Sequence, residues 1–210
     1  MENDILTSIE NANGGSGNDT LYGSSASNSL TGRGGGDGID GRGGNDYLGG
    51  GPGNDWLGGG PGDDYAEGGE DNDVLAGVGG NDTLWGGSGR DRVTYADADT
   101  GVIAHIGTGT SGPTGEADTI KGDVEDLEGS VFGDKLYGNG ASNVLTGHAG
   151  KDTLVGNGGA DTLKGNEGAG TLNTNGDGVQ DHSDCGDGTD VANADKIDSV
   201  NANCETANKT

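Results

Sequence analysis

Aspartate returns every nine residues through the first half of the chain, at Asp37, Asp46, Asp55, Asp64, Asp73, Asp82 and Asp91. Asp19 lies on the same period, with Asn28 filling the step between it and Asp37. A second run holds Asp134, Asn143, Asp152 and Asp161 and ends on Gly170. An acid–base pair needs two titratable groups in unlike environments, and a uniform column of carboxylates offers none. What such a column suits is cations, because stacked carboxylates repel and a divalent ion between them removes the repulsion. Zinc would require Cys or His, which the pattern lacks. Magnesium demands strict octahedral geometry and keeps its water, whereas calcium accepts roughly six to eight oxygen ligands in irregular arrangement. Calcium is the cation that fits.

The elements that position the column follow from the repeat around it. Residues 14–94 divide without a gap into nonapeptides: GGSGNDTLY, GSSASNSLT, GRGGGDGID, GRGGNDYLG, GGPGNDWLG, GGPGDDYAE, GGEDNDVLA, GVGGNDTLW and GGSGRDRVT. Residues 129–173 give GSVFGDKLY, GNGASNVLT, GHAGKDTLV, GNGGADTLK and GNEGAGTLN. Glycine opens every one, and position eight is apolar throughout, as at Leu21, Leu30, Ile39, Leu48 and Leu57. Six glycine-rich residues make a turn. The three that follow make a short strand whose middle side chain faces one way and its neighbours the other. Two nonapeptides close a flattened coil, and stacked coils set equivalent strands about 4.8 Å apart, as in any parallel sheet. Carbonyls of the glycine-rich turns would join the aspartates as oxygen ligands.

The consensus G-G-x-G-x-D-x-U-x of these nonapeptides resembles the RTX, or haemolysin-type, calcium-binding repeat. GGSGNDTLY and GGPGNDWLG match every fixed position. The resemblance implies an all-β fold, a right-handed parallel β-roll (β-solenoid) of stacked coils, with Ca2+ between successive turns. Its ligands would be Asp19, Asp37, Asp46, Asp55, Asp64, Asp73, Asp82, Asp91, Asp134, Asp152 and Asp161 with turn carbonyls. Asn28, Asn143 and Gly170 depart from the pattern and imply weak or empty sites, and Asp71 replaces a fourth-position glycine. The family also implies secretion from a bacterium, with export in the unfolded form and folding in the calcium-rich exterior.

The C-terminal segment carries a second candidate. NTNGDGVQDHSD places Asn173, Asn175, Asp177, Asp181 and Asp184 at the first, third, fifth, ninth and twelfth places of a calcium loop similar to an EF-hand or a thrombospondin type 3 repeat, with Gly178 at the bend. The first place is Asn, the twelfth is Asp instead of Glu, and no amphipathic helix precedes it, so the alternative is a degenerate last coil. Cys185 and Cys204 have neither a metal set nor a CxxC pair around them. A disulfide between them is the expectation for an extracellular repeat protein, and two free thiols in a cytoplasmic protein are the alternative. The end of the chain from Cys185 resembles the C-termini of some secreted haemolysin-type proteins and is expected to cap the roll.

The expected organisation is an irregular N-terminal coil over 1–13, a first array over 14–94, an irregular insert over 95–128, a second array over 129–173 and a cap over 174–210. Asn3-Asp4-Ile5-Leu6-Thr7 resembles the tail of another nonapeptide, and the chain is expected to continue a longer parent array. With 36 acidic and 10 basic residues, a net charge of −26 and 50 glycines, the chain repels nucleic acid and anionic membrane surfaces. It has no apolar run long enough for a membrane-spanning helix. No GxSxG, HExxH or GxxxxGK[ST] motif occurs, and His105, His148 and His182 lie far apart in sequence. The expected role is therefore a calcium-binding structural or binding module and not an enzyme. Tyr47, Trp56 and Tyr65 share position seven, which places Tyr47 and Tyr65 on one face and Trp56 on the other. They leave an extracellular polysaccharide or a cell surface as the alternative partner. Nothing in the sequence sets an oligomeric state.

Overall fold

Position eight decides the architecture. A computed structural model describes residues 3–5 and 10–210, and its ordered elements are strands, with no helix among the described residues. The chain is all-β, a parallel solenoid in which the strands of the regular arrays pair with those eighteen residues further along, as in Leu21 opposite Ile39, Ile39 opposite Leu57 and Leu57 opposite Leu75. The middle residue of each short strand points inward and its neighbours outward, which is why Thr20–Tyr22 and Ser29–Thr31 bury only their central leucine. Leu30, Ile39, Leu48, Leu57, Leu75 and Leu84 are fully buried. A single interior column thus stands in for a conventional core.

Two compact units make up the chain, Met1–Thr94 with Glu116–Val124, and Tyr95–Gly115 with Glu125–Thr210. In the first, one parallel sheet contains Thr20–Tyr22, Gly38–Asp40, Trp56–Pro61, Val74–Gly79 and Arg92–Thr94. The other contains Asn11–Asn13, Ser29–Thr31, Tyr47–Pro52, Tyr65–Glu70, Thr83–Ser88 and Thr119–Ile120. Of the expected array remnant at its start, Asn3–Ile5 forms a strand beside Thr20–Tyr22; Leu6 and Thr7 lie outside the described residues. The last strand of the second sheet comes from the segment between the two arrays. Thr119 pairs with Thr83 and Ile120 with Leu84, so the half-repeat EADTIKG adds one more rung to the ladder.

The second unit repeats the scheme. Asp126–Glu128, Val144–Thr146, Thr162–Lys164, His182–Asp184 and Ser199–Val200 form one sheet. Val102–His105, Lys135–Tyr137, Thr153–Val155, Thr171–Asn173, Val191–Ala194 and Thr206–Lys209 form the other, edged by the antiparallel Gly112–Pro113. The apolar column here is Leu127, Leu145 and Leu163 on one side and Ala104, Leu136, Leu154, Leu172 and Ala192 on the other. Rungs continue past the last regular nonapeptide, because His182–Asp184 pairs with Thr162–Lys164 and Val191–Ala194 with Thr171–Asn173.

Candidate metal centre

Each turn ends on the position-six side chain, and the turn holds it inside the coil. Asp37, Asp46, Asp55, Asp64, Asp73, Asp82, Asp152 and Asp161 are all at most 4% exposed. One carboxylate oxygen is used by the fold. Asp37 N–H donates to Asp55 Oδ1 at 2.7 Å and Asp55 N–H to Asp73 Oδ1 at 2.8 Å. On the other edge Asp46 N–H donates to Asp64 Oδ1 at 2.7 Å and Asp64 N–H to Asp82 Oδ1 at 2.8 Å. In the second unit Asp134 N–H donates to Asp152 Oδ1 and Asn143 N–H to Asp161 Oδ1, both at 2.9 Å. Each aspartate therefore caps the turn of the coil before it.

The second oxygen has no such partner. Oδ2 of Asp37, Asp46, Asp55, Asp64, Asp73, Asp82 and Asp161 is buried without a hydrogen-bond donor. A buried polar atom left in this state costs about 1–3 kcal/mol, and more when charged. The neighbourhood shows what it faces. A Cβ built on Gly68 would collide with Asp73 Oδ2 and would lie 2.5 Å from the Gly86 carbonyl oxygen. On Gly41 it would meet Asp46 Oδ2 and come within 2.7 Å of the Gly59 carbonyl oxygen. Position one is thus glycine because a carboxylate oxygen and a carbonyl oxygen from the next coil converge on the space a side chain would fill. Burial pushes these carboxyls up, and the N–H donor from the preceding coil offsets only part of it. Asp55, Asp64 and Asp152 rise to about 6, and Asp73, Asp82 and Asp161 to about 7. Asp37, Asp46 and Asp134 are raised in the same direction for the same reason.

An all-oxygen cradle with an unsatisfied carboxylate fits a hard divalent cation, and calcium in particular. Among the described residues no three His, Cys, Asp or Glu side chains come together as a self-sufficient metal set. Backbone carbonyls such as those of Gly59 and Gly86 would have to complete the shell. The columns also contain members that nine-residue counting misses. Asp82 N–H donates to Asp118 Oδ1 at 2.9 Å, Gly170 N–H to Asp190 Oδ1 at 2.5 Å, and Asp181 N–H to Asp198 Oδ1 at 3.1 Å. Asp91 takes its expected place, accepting from Asp73 N–H at 2.9 Å. Asp19 Oδ2 accepts from Gly15 N–H at 2.5 Å.

The tail residues are dispersed. Asp181 sits in the column, accepting from Asp161 N–H at 2.7 Å with Oδ2 buried and unpartnered, and burial raises it to about 6. Asp177 ties down its own loop and Gly159 N–H, Asn173 pairs with Asn193, Asn175 is exposed, and Asp184 pairs with Asn203 at 2.6 Å. The Asn203 hydrogen bond holds the Asp184 carboxyl below its ordinary value. The segment 174–181 is the turn of a coil two residues longer than its neighbours. Cys185 and Cys204 form a disulfide, and Cys185 is fully buried. Tyr47 and Tyr65 stack with ring centroids 5.4 Å apart on one sheet, and Trp56 lies on the other, its indole over Gly58. His105 stacks on Tyr137, and His148 contacts Glu128 at 2.8 Å.

Parallel coils, an aspartate column and glycine cradles define a β-roll repeat module. The family model for the RTX calcium-binding nonapeptide repeat, in four copies, matches residues 13–48, 39–66, 49–84, 67–98 and 128–172. More than half of the chain is covered, and the chain belongs to this family. No curated protein matches it as a relative.

Proposed function

We propose that the chain is a calcium-dependent folding module that works outside the bacterial cell. The reading is carried by the buried, unpartnered Oδ2 of Asp37, Asp46, Asp55, Asp64, Asp73, Asp82 and Asp161. Fully ionised and without a cation, these groups oppose the compact state through desolvation and mutual repulsion. Bound calcium supplies positive charge and accepts the oxygen-rich, irregular shell that carboxylate and carbonyl groups provide. The aspartates orient one oxygen through the N–H of the preceding coil and present the other, and position-one glycines keep the approach clear. Metal binding and folding are then one equilibrium, because the ligand set is assembled only when coils stack. Coils stabilise their neighbours, which makes the transition steep. The Cys185–Cys204 disulfide agrees with an oxidising compartment.

Isothermal titration of the chelator-treated chain with calcium, and separately with magnesium, tests the proposal. Calcium should bind with heat and produce ordered β structure, and magnesium at the same concentration should do neither. Equal response to both ions would overturn the assignment of the cation, and no response to either would overturn the module's calcium dependence.

A further inference from the structure

The coils do not all turn in the same way, and the difference decides the fate of the position-six group. In most coils position two adopts a left-handed backbone, as at Arg33 (φ 82°), Arg42 (71°), Val78 (86°), His148 (70°), Asn157 (71°), Gly51 (110°) and Gly69 (123°). Position four does so too, as at Gly35 (112°), Gly53 (130°), Gly80 (125°) and Gly159 (97°). The position-two N–H then turns away from the carboxylate; that of Arg33 donates to the Gly50 carbonyl at 2.8 Å. These are the coils in which Oδ2 of Asp37, Asp46, Asp55, Asp64, Asp73, Asp82 and Asp161 is left over.

Four coils turn differently. Positions two and four are not left-handed in residues 14–22, 23–31, 129–137 and 138–146. There the position-two N–H donates into the position-six group: Gly15 to Asp19 Oδ2 at 2.5 Å, Ser24 to Asn28 Oδ1 at 2.7 Å, Ser130 to Asp134 Oδ2 at 2.7 Å and Asn139 to Asn143 Oδ1 at 2.8 Å. Further donors complete two of these rungs. Ser130 Oγ donates to Asp134 Oδ1 at 2.9 Å and Val102 N–H to the same oxygen at 2.8 Å. Asn143 Nδ2 donates to the Glu125 carbonyl at 2.8 Å, so a neutral amide makes the inter-coil bridge.

Position four separates the two sets. Ala26, Phe132 and Ala141 occupy it in three of the four closed turns, whereas the open turns have glycine there, or Asp71 at φ 75°. The reason is steric. A Cβ on Gly53 would strike the Gly35 backbone of the coil before, and one on Gly159 would lie 2.6 Å from the Ala141 carbonyl carbon. A left-handed backbone is itself unfavourable for a residue with a side chain. Gly17 in the first closed turn shows that glycine permits the open turn without imposing it.

We infer that the position-four residue sorts the coils into two kinds of rung. Coils with a side chain at Phe132 or Ala141, and at Ala26, saturate position six with protein donors and hold no cation. Coils whose turn is left-handed at positions two and four, and which carry aspartate at position six, leave an oxygen for one. The inference rests on the calcium reading above and narrows it, removing Asp19 and Asp134, whose Oδ2 the turn itself occupies, from the ligands. Calcium should begin, within 129–173, at Asp152 and Asp161.

The test counts bound calcium per folded chain by equilibrium dialysis and metal analysis, using the full chain. Asp134→Asn should leave the count unchanged, and Asp161→Asn should lower it. The double variant Ser130→Gly/Phe132→Gly, which restores glycine at positions two and four, should bind one calcium more than the native chain. Phe132 is 44% exposed, so its removal leaves the core intact, and circular dichroism checks the fold of each variant. A lower count for Asp134→Asn, or an unchanged count for a folded double variant, would overturn the sorting while leaving calcium binding in place. A native chain that binds no calcium would instead overturn the reading beneath it.

Discussion

Replacing Gly68 by alanine isolates the cradle from every other role of glycine. Gly68 is buried and its backbone is not left-handed, so the added methyl acts through space alone. That methyl would strike Asp73 Oδ2, lie 2.5 Å from the Gly86 carbonyl oxygen and 2.8 Å from Asp73 Cβ. Real Cβ atoms do not approach so closely, and the neighbours it would meet are backbone or a short side chain already fixed by Asp55 N–H. Overpacking of this kind costs about 1–3 kcal/mol, and a methyl between Asp73 Oδ2 and the Gly86 carbonyl oxygen would take two oxygens from the proposed cation site. The calcium needed for half-folding should rise by roughly two-fold, since about 1.4 kcal/mol is a factor of ten in the folding constant and a steep transition that takes up several ions spreads that factor over them. Gly38→Ala is the matched control, because a Cβ there meets nothing within 4 Å and its φ is not left-handed. It should leave the calcium midpoint unchanged or lower it slightly, alanine reducing the entropy of the unfolded chain by about 0.4–1 kcal/mol. Calcium titrations followed by far-ultraviolet circular dichroism compare the two. Equal midpoints for Gly68→Ala and Gly38→Ala would refute the cradle.

Further expectations follow from the same geometry. Burial raises Asp55 and Asp64 to about 6 and Asp73, Asp82 and Asp161 to about 7. The metal-free fold therefore binds more protons than the unfolded chain, and loses stability as pH rises from about 4 through 7. In excess chelator, β structure should increase on going from pH 8 to pH 5, and an unchanged spectrum would contradict the protonation argument. Val78 is β-branched, 51% exposed and left-handed at φ 86°; Val78→Gly should stabilise the calcium-loaded state by about 1–2 kcal/mol, read as a higher thermal midpoint. Reducing the Cys185–Cys204 disulfide, which spans 19 residues, should destabilise the unit containing it by about 3 kcal/mol, and hydrogen exchange should show the loss near residues 182–209 before it reaches residues 20–94.

The fold was legible because one residue in nine carries it. Leu21, Ile39, Leu57 and Leu75 fall opposite one another at the register that counting nonapeptides predicts, and the aspartates follow as their neighbours two positions earlier. Counting fails where the chain keeps the rung but changes the interval. Asp118 stacks on Asp82 across 36 residues, with the chain passing through the second unit between them. Asp181 follows Asp161 after 20 residues, so it read as part of a separate calcium loop while it stacks in the column. Asp190 stayed hidden because Cys185 stands where the opening glycine of its turn would be. The two turn types were present in the sequence as Ala26, Phe132 and Ala141, yet only the backbone angles and the donors from Ser24, Ser130 and Asn139 give those residues a meaning.

On the function proposed above, cations complete a fold which the carboxylate columns otherwise oppose. Far-ultraviolet circular dichroism of the intact chain at pH 8, titrated from excess chelator to millimolar calcium, tests it most directly. A largely unordered spectrum at the start and a steep, chelator-reversible gain of β structure are expected. A β spectrum already complete in chelator, unchanged by calcium, would contradict it.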